Sequence, residues 1–174
     1  MKKTKRLSIS AVLTALSVAI MYIGALTGVL DISAVVIASF AVMLADFELR
    51  IPYNLMVYAG TSVLSFLILP NKQTALMYIL FGGIYPIIKR YLCAVRPRLL
   101  SYALRILSFE LMLTAILWLV AKFFMLDDYA WLYSHLWIVY LVLTPIFLLY
   151  DYVIELVAGF YYAKIRPKIA NLLT

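Results

Sequence analysis

The sequence predicts an all-α integral membrane protein, a single domain of residues 1–174 built as a bundle of six transmembrane helices. The first observation is composition: 67% of the residues are hydrophobic and 13% are charged, against about 45–50% and about 25% in an average soluble domain. Secondly, six apolar segments follow one another with no stretch left for a soluble domain. Thirdly, the basic residues gather at segment ends on one side, which predicts that both termini are cytoplasmic.

Turn residues and prolines bound the segments. Gly28 ends the first segment, and a polar turn at residues 46–52 ends the second. Pro52 suits the first turn of the third helix, where a missing N–H costs nothing, and Pro70 stops that helix. The predicted helices are residues 7–28, 32–45, 52–69, 74–92, 101–125 and 131–163.

The later segments contain helix breakers. Gly82 and Pro86 lie inside the fourth segment and predict a kink, because proline removes a backbone hydrogen bond. The sixth segment would measure about 50 Å as one straight helix, against a hydrocarbon core of about 30 Å. Either residues 129–135 therefore lie along the membrane surface, or Pro145 bends the helix, or both.

The charge distribution sets the orientation. With the N-terminus in the cytoplasm, all of the 15 lysines and arginines except Lys72 and Lys122 fall on or near the cytoplasmic side, as expected for a membrane protein. The net charge of +7 therefore reflects membrane orientation, and no nucleic-acid motif accompanies it. The single cysteine, Cys93, excludes an internal disulfide and a multi-cysteine metal site.

Two rows of alanines recur at helical spacing. Ala11, Ala15 and Ala19 form a small-residue row along the first helix, here called the α1 alanine row. A second row, the α2 alanine row, consists of Ala34, Ala38, Ala41 and Ala45. Small residues let another helix approach closely, which is how helices associate in lipid. The first row therefore predicts either an interface with another protein or intramolecular packing with the second row as its partner.

Charged residues inside the predicted spans are costly and are expected to be paired or functional. They are Lys89, Arg105, Glu110, Asp151 and Glu155. One hypothesis is a set of structural ion pairs that join Lys89 or Arg105 to Asp151 or Glu155. The other is a proton or cation relay, in which Glu110 near the midplane is either functional or a structural, hydrogen-bonded carboxyl group.

A second polar group is predicted at the outer ends of the helices. Mixed charges and aromatic faces there could bind a small, flat, polar molecule, or they could form an ordinary aromatic belt with solvated loop charges. The group contains Asp31, Asn71, Lys72, Tyr78, Trp118, Lys122, Asp127, Asp128, Trp131, Tyr133, His135 and Trp137.

Enzyme signatures are absent from the sequence. There is no nucleophile elbow, HExxH zinc motif, phosphate-binding loop or dinucleotide-binding loop, and one histidine with one cysteine makes no recognisable zinc site. We therefore expect a non-enzymatic protein without a metal or cofactor. If it moves a solute with the energy of ATP, a partner must hydrolyse the ATP.

The length, the predicted topology and the Ala11, Ala15 and Ala19 motif resemble the substrate-binding S component of energy-coupling factor (ECF) transporters. The resemblance implies that this row docks on a transmembrane T protein driven by two cytoplasmic ATPases. It implies a bacterial inner-membrane location and import of a vitamin or similar micronutrient. Its substrate site would lie near the outer face, and the candidate residues are Asp31, Asn71, Lys72, Tyr78, Glu110, Trp118 and His135.

Two other functions fit the same features. A scaffold membrane protein, such as a small multi-span subunit of the bacterial rod-shape machinery, would need a protein partner and no bound small molecule. A small secondary transporter or a membrane enzyme would use Glu110, Asp151 and Glu155, and uptake by the transporter would be proton-coupled and independent of ATP. The sequence lacks the paired inverted halves typical of such transporters.

Overall fold

The structure, a computed structural model, describes residues 3–49, 51–124 and 136–168, and these residues are helical with short turns and no strand. The prediction of six helical segments is confirmed, with the fourth divided into two helices. The helices are α1 (Lys3–Thr27), α2 (Asp31–Glu48), α3 (Tyr53–Ile68), α4 (Lys72–Met77), α5 (Tyr85–Leu92), α6 (Arg98–Phe124) and α7 (Leu136–Phe160). They fall into two compact units, residues 2–123 and residues 124–174.

The turn between α1 and α2 depends on Gly28. Its φ of 67° is the left-handed conformation that ends many helices and that glycine adopts without steric cost. The Thr27 hydroxyl donates to the Gly24 carbonyl at 2.6 Å and accepts from the Leu30 N–H at 3.3 Å. The chain therefore reverses within three residues, which holds α1 and α2 side by side.

The fourth segment differs from the single kinked helix that the sequence predicts. A π-helical turn, Tyr78–Gly82, joins α4 to a break before α5, and Pro86 lies in the first turn of α5. Close packing accounts for the glycine at the turn, since a Cβ on Gly82 would stand 2.5 Å from Val35 Cγ1 of α2. Pro86 therefore begins a new helix, where it costs no hydrogen bond, and does not kink a continuous one.

Helix α2 lies at the centre of the first unit and contacts α1, α3, α4 and α5. It approaches α1 closely at Gly24, where an added Cβ would stand 2.3 Å from Ala34 Cβ. Helix α1 also packs on α3, with Gly60 against the Thr14 side chain. Small residues thus set both contacts of α1.

Helix α3 is polar inside and apolar outside. Its buried residues are Asn54, Val57, Thr61, Ser62 and Ser65. Its exposed large side chains are Leu55, Met56, Val63, Leu64, Phe66, Leu67 and Ile68. In water this arrangement would leave a large apolar surface exposed, which soluble monomers avoid; a lipid environment removes that cost.

Among the residues that the structure describes, three helices are long and apolar enough to cross a membrane: Lys3–Thr27, Arg98–Val120 and Leu136–Lys168. The last of these includes Pro145 and continues α7 through a π-helical turn, Tyr161–Ile165. Helix α3 is apolar but has only 16 residues, about 24 Å at 1.5 Å per residue. The structure therefore indicates a helical membrane protein.

Candidate functional site

The two alanine rows have opposite environments. Ala34, Ala38, Ala41 and Ala45 of α2 are all buried. Ala11, Ala15 and Ala19 of α1 are all exposed. The buried residues of α1 are Ser10, Ser17, Val18, Met21 and Gly24. The hypothesis that the two rows pack against each other is therefore wrong, because α1 turns a different face towards α2.

Large apolar side chains flank the exposed α1 alanine row. Val12 and Leu16 lie beside Ala11 and Ala15, and both are more than half exposed. Ile23 and Leu26 extend the same exposed surface towards the end of the helix. The α1 alanine row is thus an exposed row of small side chains beside larger apolar ones, and small side chains allow the close approach by which helices associate in lipid.

The structure brings together two of the predicted substrate-binding residues, Asp31 and Asn71. The Asn71 side-chain amide donates to Asp31 Oδ2 at 2.9 Å, across 40 residues of sequence. Asn71 Oδ1 also accepts from the Gln73 N–H at 3.0 Å, so Asn71 caps the start of α4. Asp31 Oδ1 is buried and has no hydrogen-bond partner among the described residues, which leaves one carboxylate oxygen able to accept a further donor.

Lys72 has a structural contact at the same end of the unit. Its Nζ donates to the carbonyl of Phe66 at 2.7 Å and to that of Leu69 at 2.9 Å. It also stands 5.6 Å from the Phe66 ring centroid. These carbonyls belong to the last turn of α3, which a cation stabilises. Lys72 therefore stabilises the end of α3 and the turn that contains Asn71.

Below this turn, the helical hairpin of α3 and α4 contains a buried polar region. Tyr78 is fully buried, and its ring centroid lies 6.5 Å from that of Tyr58, whose hydroxyl donates to the Ile79 carbonyl at 2.9 Å. Thr61 and Thr74 each bury a hydroxyl oxygen without a hydrogen-bond partner among the described residues. Buried hydroxyls normally have partners, so each of these two would be stabilised by a hydrogen bond to a ligand or water.

The remaining candidates for substrate binding are dispersed. Glu110 is half-buried in α6, and its backbone carbonyl accepts from the Thr114 hydroxyl at 2.7 Å. Trp118 is exposed, and Lys122 Nζ stands 4.9 Å from its ring centroid, an arrangement typical of a membrane-interface belt. His135 lies outside the described residues, as do Asp127, Asp128, Trp131 and Tyr133.

The charged residues proposed as ion pairs fall in two units. Lys89 and Arg105 are buried in the first unit, while Asp151 is buried and Glu155 exposed in the second. The pairing of Lys89 or Arg105 with Asp151 or Glu155 stays a prediction. Within the first unit, Arg105 Nη2 donates to Cys93 Sγ at 3.1 Å, and its guanidinium carbon lies 4.8 Å from the Tyr102 ring centroid.

A buried polar cluster of Asp46, Asn54 and Arg90 was not predicted from the sequence. Asp46 Oδ1 accepts from Asn54 Nδ2 at 2.8 Å and from Arg90 Nη1 at 2.9 Å. The Asp46 side chain is 5% exposed and that of Arg90 is 46% exposed. The signal that could have found it is Asn54 in the first turn of α3, which a short turn after α2 brings back to Asp46.

Comparison of the chain with protein-family models, with curated proteins and with solved structures gives no match.

Proposed function

We propose that this protein is the substrate-binding S component of an ECF-type importer, in which the α1 alanine row docks on a transmembrane T protein driven by two ATPases. The observation that carries the proposal is the exposure of Ala11, Ala15 and Ala19. Within the described part of the first unit, no other helix covers this row, and its small side chains suit close helix packing. An external helix is its natural partner.

The polar region at the Asp31 end supports a binding role. Asp31 retains a buried carboxylate oxygen with no described partner, and Thr61 and Thr74 retain buried hydroxyls. These residues offer one charged acceptor and two groups that can both donate and accept. Such a region suits a small molecule with hydroxyl or amine groups, and a vitamin-like micronutrient belongs to that class.

The proposed orientation places the start of α1 in the cytoplasm. Helices α1 and α3 begin at the same end of the unit, where the Arg6 guanidinium carbon lies 5.8 Å from the Tyr53 ring centroid. Arg90 contacts Asp46 at that end, between the end of α2 and the start of α3. The positive-inside rule then makes this end cytoplasmic and the Asp31–Asn71 end external, as uptake requires.

The test is co-purification from a bacterial host that supplies an ECF T protein and its ATPases, comparing wild type with Ala15→Trp. The added bulk should push the partner helix away, at a cost of about 1–3 kcal/mol, which is a loss of about 5- to 150-fold in affinity. Folding should be preserved, because Ala15 is exposed. Ala59→Trp is the matched control, since Ala59 is an exposed alanine of α3.

Capture by wild type and Ala59→Trp, and not by Ala15→Trp, would support docking through the α1 alanine row. The captured complex would then be searched for a bound small molecule by mass spectrometry. Equal capture of all three proteins would mean that docking does not depend on the α1 alanine row. If none captured the T protein, the scaffold hypothesis would gain, because an exposed alanine row also suits a structural partner.

A further inference from the structure

A polar cavity of ≈160 Å³ lies at the start of α6, remote in sequence from the Asp31 region. It is lined by Cys93, Val95, Arg98, Ser101, Tyr102 and Arg105. Water occupies about 30 Å³ per molecule in the liquid, so the cavity is larger than one water molecule needs and can hold a small polyatomic group.

The chemistry of the lining favours an anion. Two of the six residues are arginines and none is acidic. Arg105 is 7% exposed, and its guanidinium is held by contacts with Cys93 Sγ and the Tyr102 ring. A guanidinium has five N–H donors, and one of those of Arg105 is directed at Cys93 Sγ. Arg98 is exposed, lines the same cavity and supplies a further charge.

Exposed apolar and aromatic residues lie close in sequence to the lining residues, which favours a lipid over a free ion as the source of the anion. Leu99 is 82% exposed, and Tyr91, Leu100 and Tyr102 are each about half exposed. Exposed leucine and tyrosine beside arginine suit the boundary between headgroups and acyl chains. In the proposed orientation this boundary belongs to the cytoplasmic leaflet, where anionic lipids attract arginine.

We propose that the cavity binds a phosphate group through Arg98 and Arg105, and that an anionic phospholipid of the surrounding membrane supplies it. Arginine matches phosphate oxygens with paired N–H donors, which gives strong, directional hydrogen bonds. The bound headgroup would hold the Cys93–Arg98 turn at the membrane surface. This site requires that the protein lies in a membrane, but it does not require a T protein or its ATPases.

The first test compares lipid retention by wild type, Arg98→Gln and Arg96→Gln. Each variant removes one exposed arginine from the same turn, but only Arg98 lines the cavity. Purified protein would be mixed with phosphatidylglycerol or phosphatidylcholine in detergent, and bound lipid counted by native mass spectrometry. We expect wild type and Arg96→Gln to retain phosphatidylglycerol preferentially, and Arg98→Gln to bind it about tenfold more weakly, as loss of one charge-assisted hydrogen bond predicts.

The second test uses Cys93, the only cysteine in the chain. It is exposed and lines the cavity, so its alkylation by the uncharged reagent N-ethylmaleimide should slow when the cavity is filled. Inorganic phosphate in lipid-free detergent is compared with chloride at equal ionic strength. Slowing by phosphate in wild type and Arg96→Gln, but not in Arg98→Gln, would support the oxyanion site directly.

The two tests separate the sources of the anion. Arg98-dependent lipid retention supports the phospholipid, while phosphate protection without lipid retention supports the same site with free phosphate as its ligand. Equal loss of lipid in Arg96→Gln and Arg98→Gln would indicate diffuse attraction to positive charge and would overturn the proposal. So would the absence of both lipid retention and phosphate protection in wild type.

Discussion

Helices α1 and α2 carry the same sequence signature, a row of alanines at helical spacing, and the fold uses the two rows in opposite ways. The α2 alanine row is buried at the centre of the first unit, whereas the α1 alanine row is exposed. Small-residue spacing therefore identifies a face that another helix can approach closely. It does not identify which helix approaches, or whether that helix belongs to the same chain.

The difference arises from the other residues of each helix. On α1, the inward face carries Ser17, Met21 and Gly24, and a Cβ on Gly24 would meet Ala34 of α2. The unit packs this face of α1, and the α1 alanine row lies on another face. Helix α2 contacts α1, α3, α4 and α5, so its alanines pack inside the unit, whereas Ile32 and Ile37 of the same helix are exposed.

The largest effect should come from adding bulk to the buried row. Ala38 is fully buried, so Ala38→Leu should lower the free energy of unfolding by about 3 kcal/mol, because close-packed cores do not accommodate extra methylenes. The equivalent Ala15→Leu should change it by about 0.5 kcal/mol or less, as surface substitutions do. Unfolding of both variants in detergent checks this; equal losses would mean that the α1 alanine row is packed within the chain.

The contact between Gly24 and Ala34 allows a sharper test of how α1 and α2 meet. Gly24→Ala would place two methyl groups 2.3 Å apart, and we expect a loss of about 2 kcal/mol in unfolding free energy. Ala34→Gly removes the opposing methyl group, so the double variant should recover much of that loss. If the losses of unfolding free energy in the two single variants simply added in the double variant, α1 and α2 would not meet at Gly24 and Ala34.

Much of the fold could be predicted from the sequence because lipid imposes simple rules. Six apolar segments, each ended by a glycine, proline or charged turn, became six helical segments. The break in the fourth segment could not be predicted in detail. Whether Pro86 kinks one helix or begins another depends on Val35 and Tyr58, which approach Gly82 and Gly83 from other helices.

The candidate site was less predictable, because contacts between distant residues leave a weak signal in one sequence. Asp31 and Asn71 were selected for lying at the same end of the bundle, and they meet at 2.9 Å. Lys72 was selected on the same ground, but its ammonium group contacts the last carbonyls of α3. The position of a residue along the chain predicts how deep it lies in the bundle. The direction of its side chain depends on local contacts such as helix capping.

The smallest of these effects should come from the polar contact at the other end of α2. Asp46→Asn keeps the size of the side chain and an acceptor for Asn54, but removes the charge that faces Arg90. Because Arg90 is 46% exposed, water compensates part of the loss, and we expect about 1 kcal/mol of destabilisation. Arg90→Gln should cost a similar amount in wild type and little in the Asp46→Asn background. The contrary result would be a loss of unfolding free energy in Asp46→Asn as large as that in Ala38→Leu. Electrostatics and not alanine packing would then hold α2 in the unit, and the contrast between the two alanine rows would lose its structural meaning.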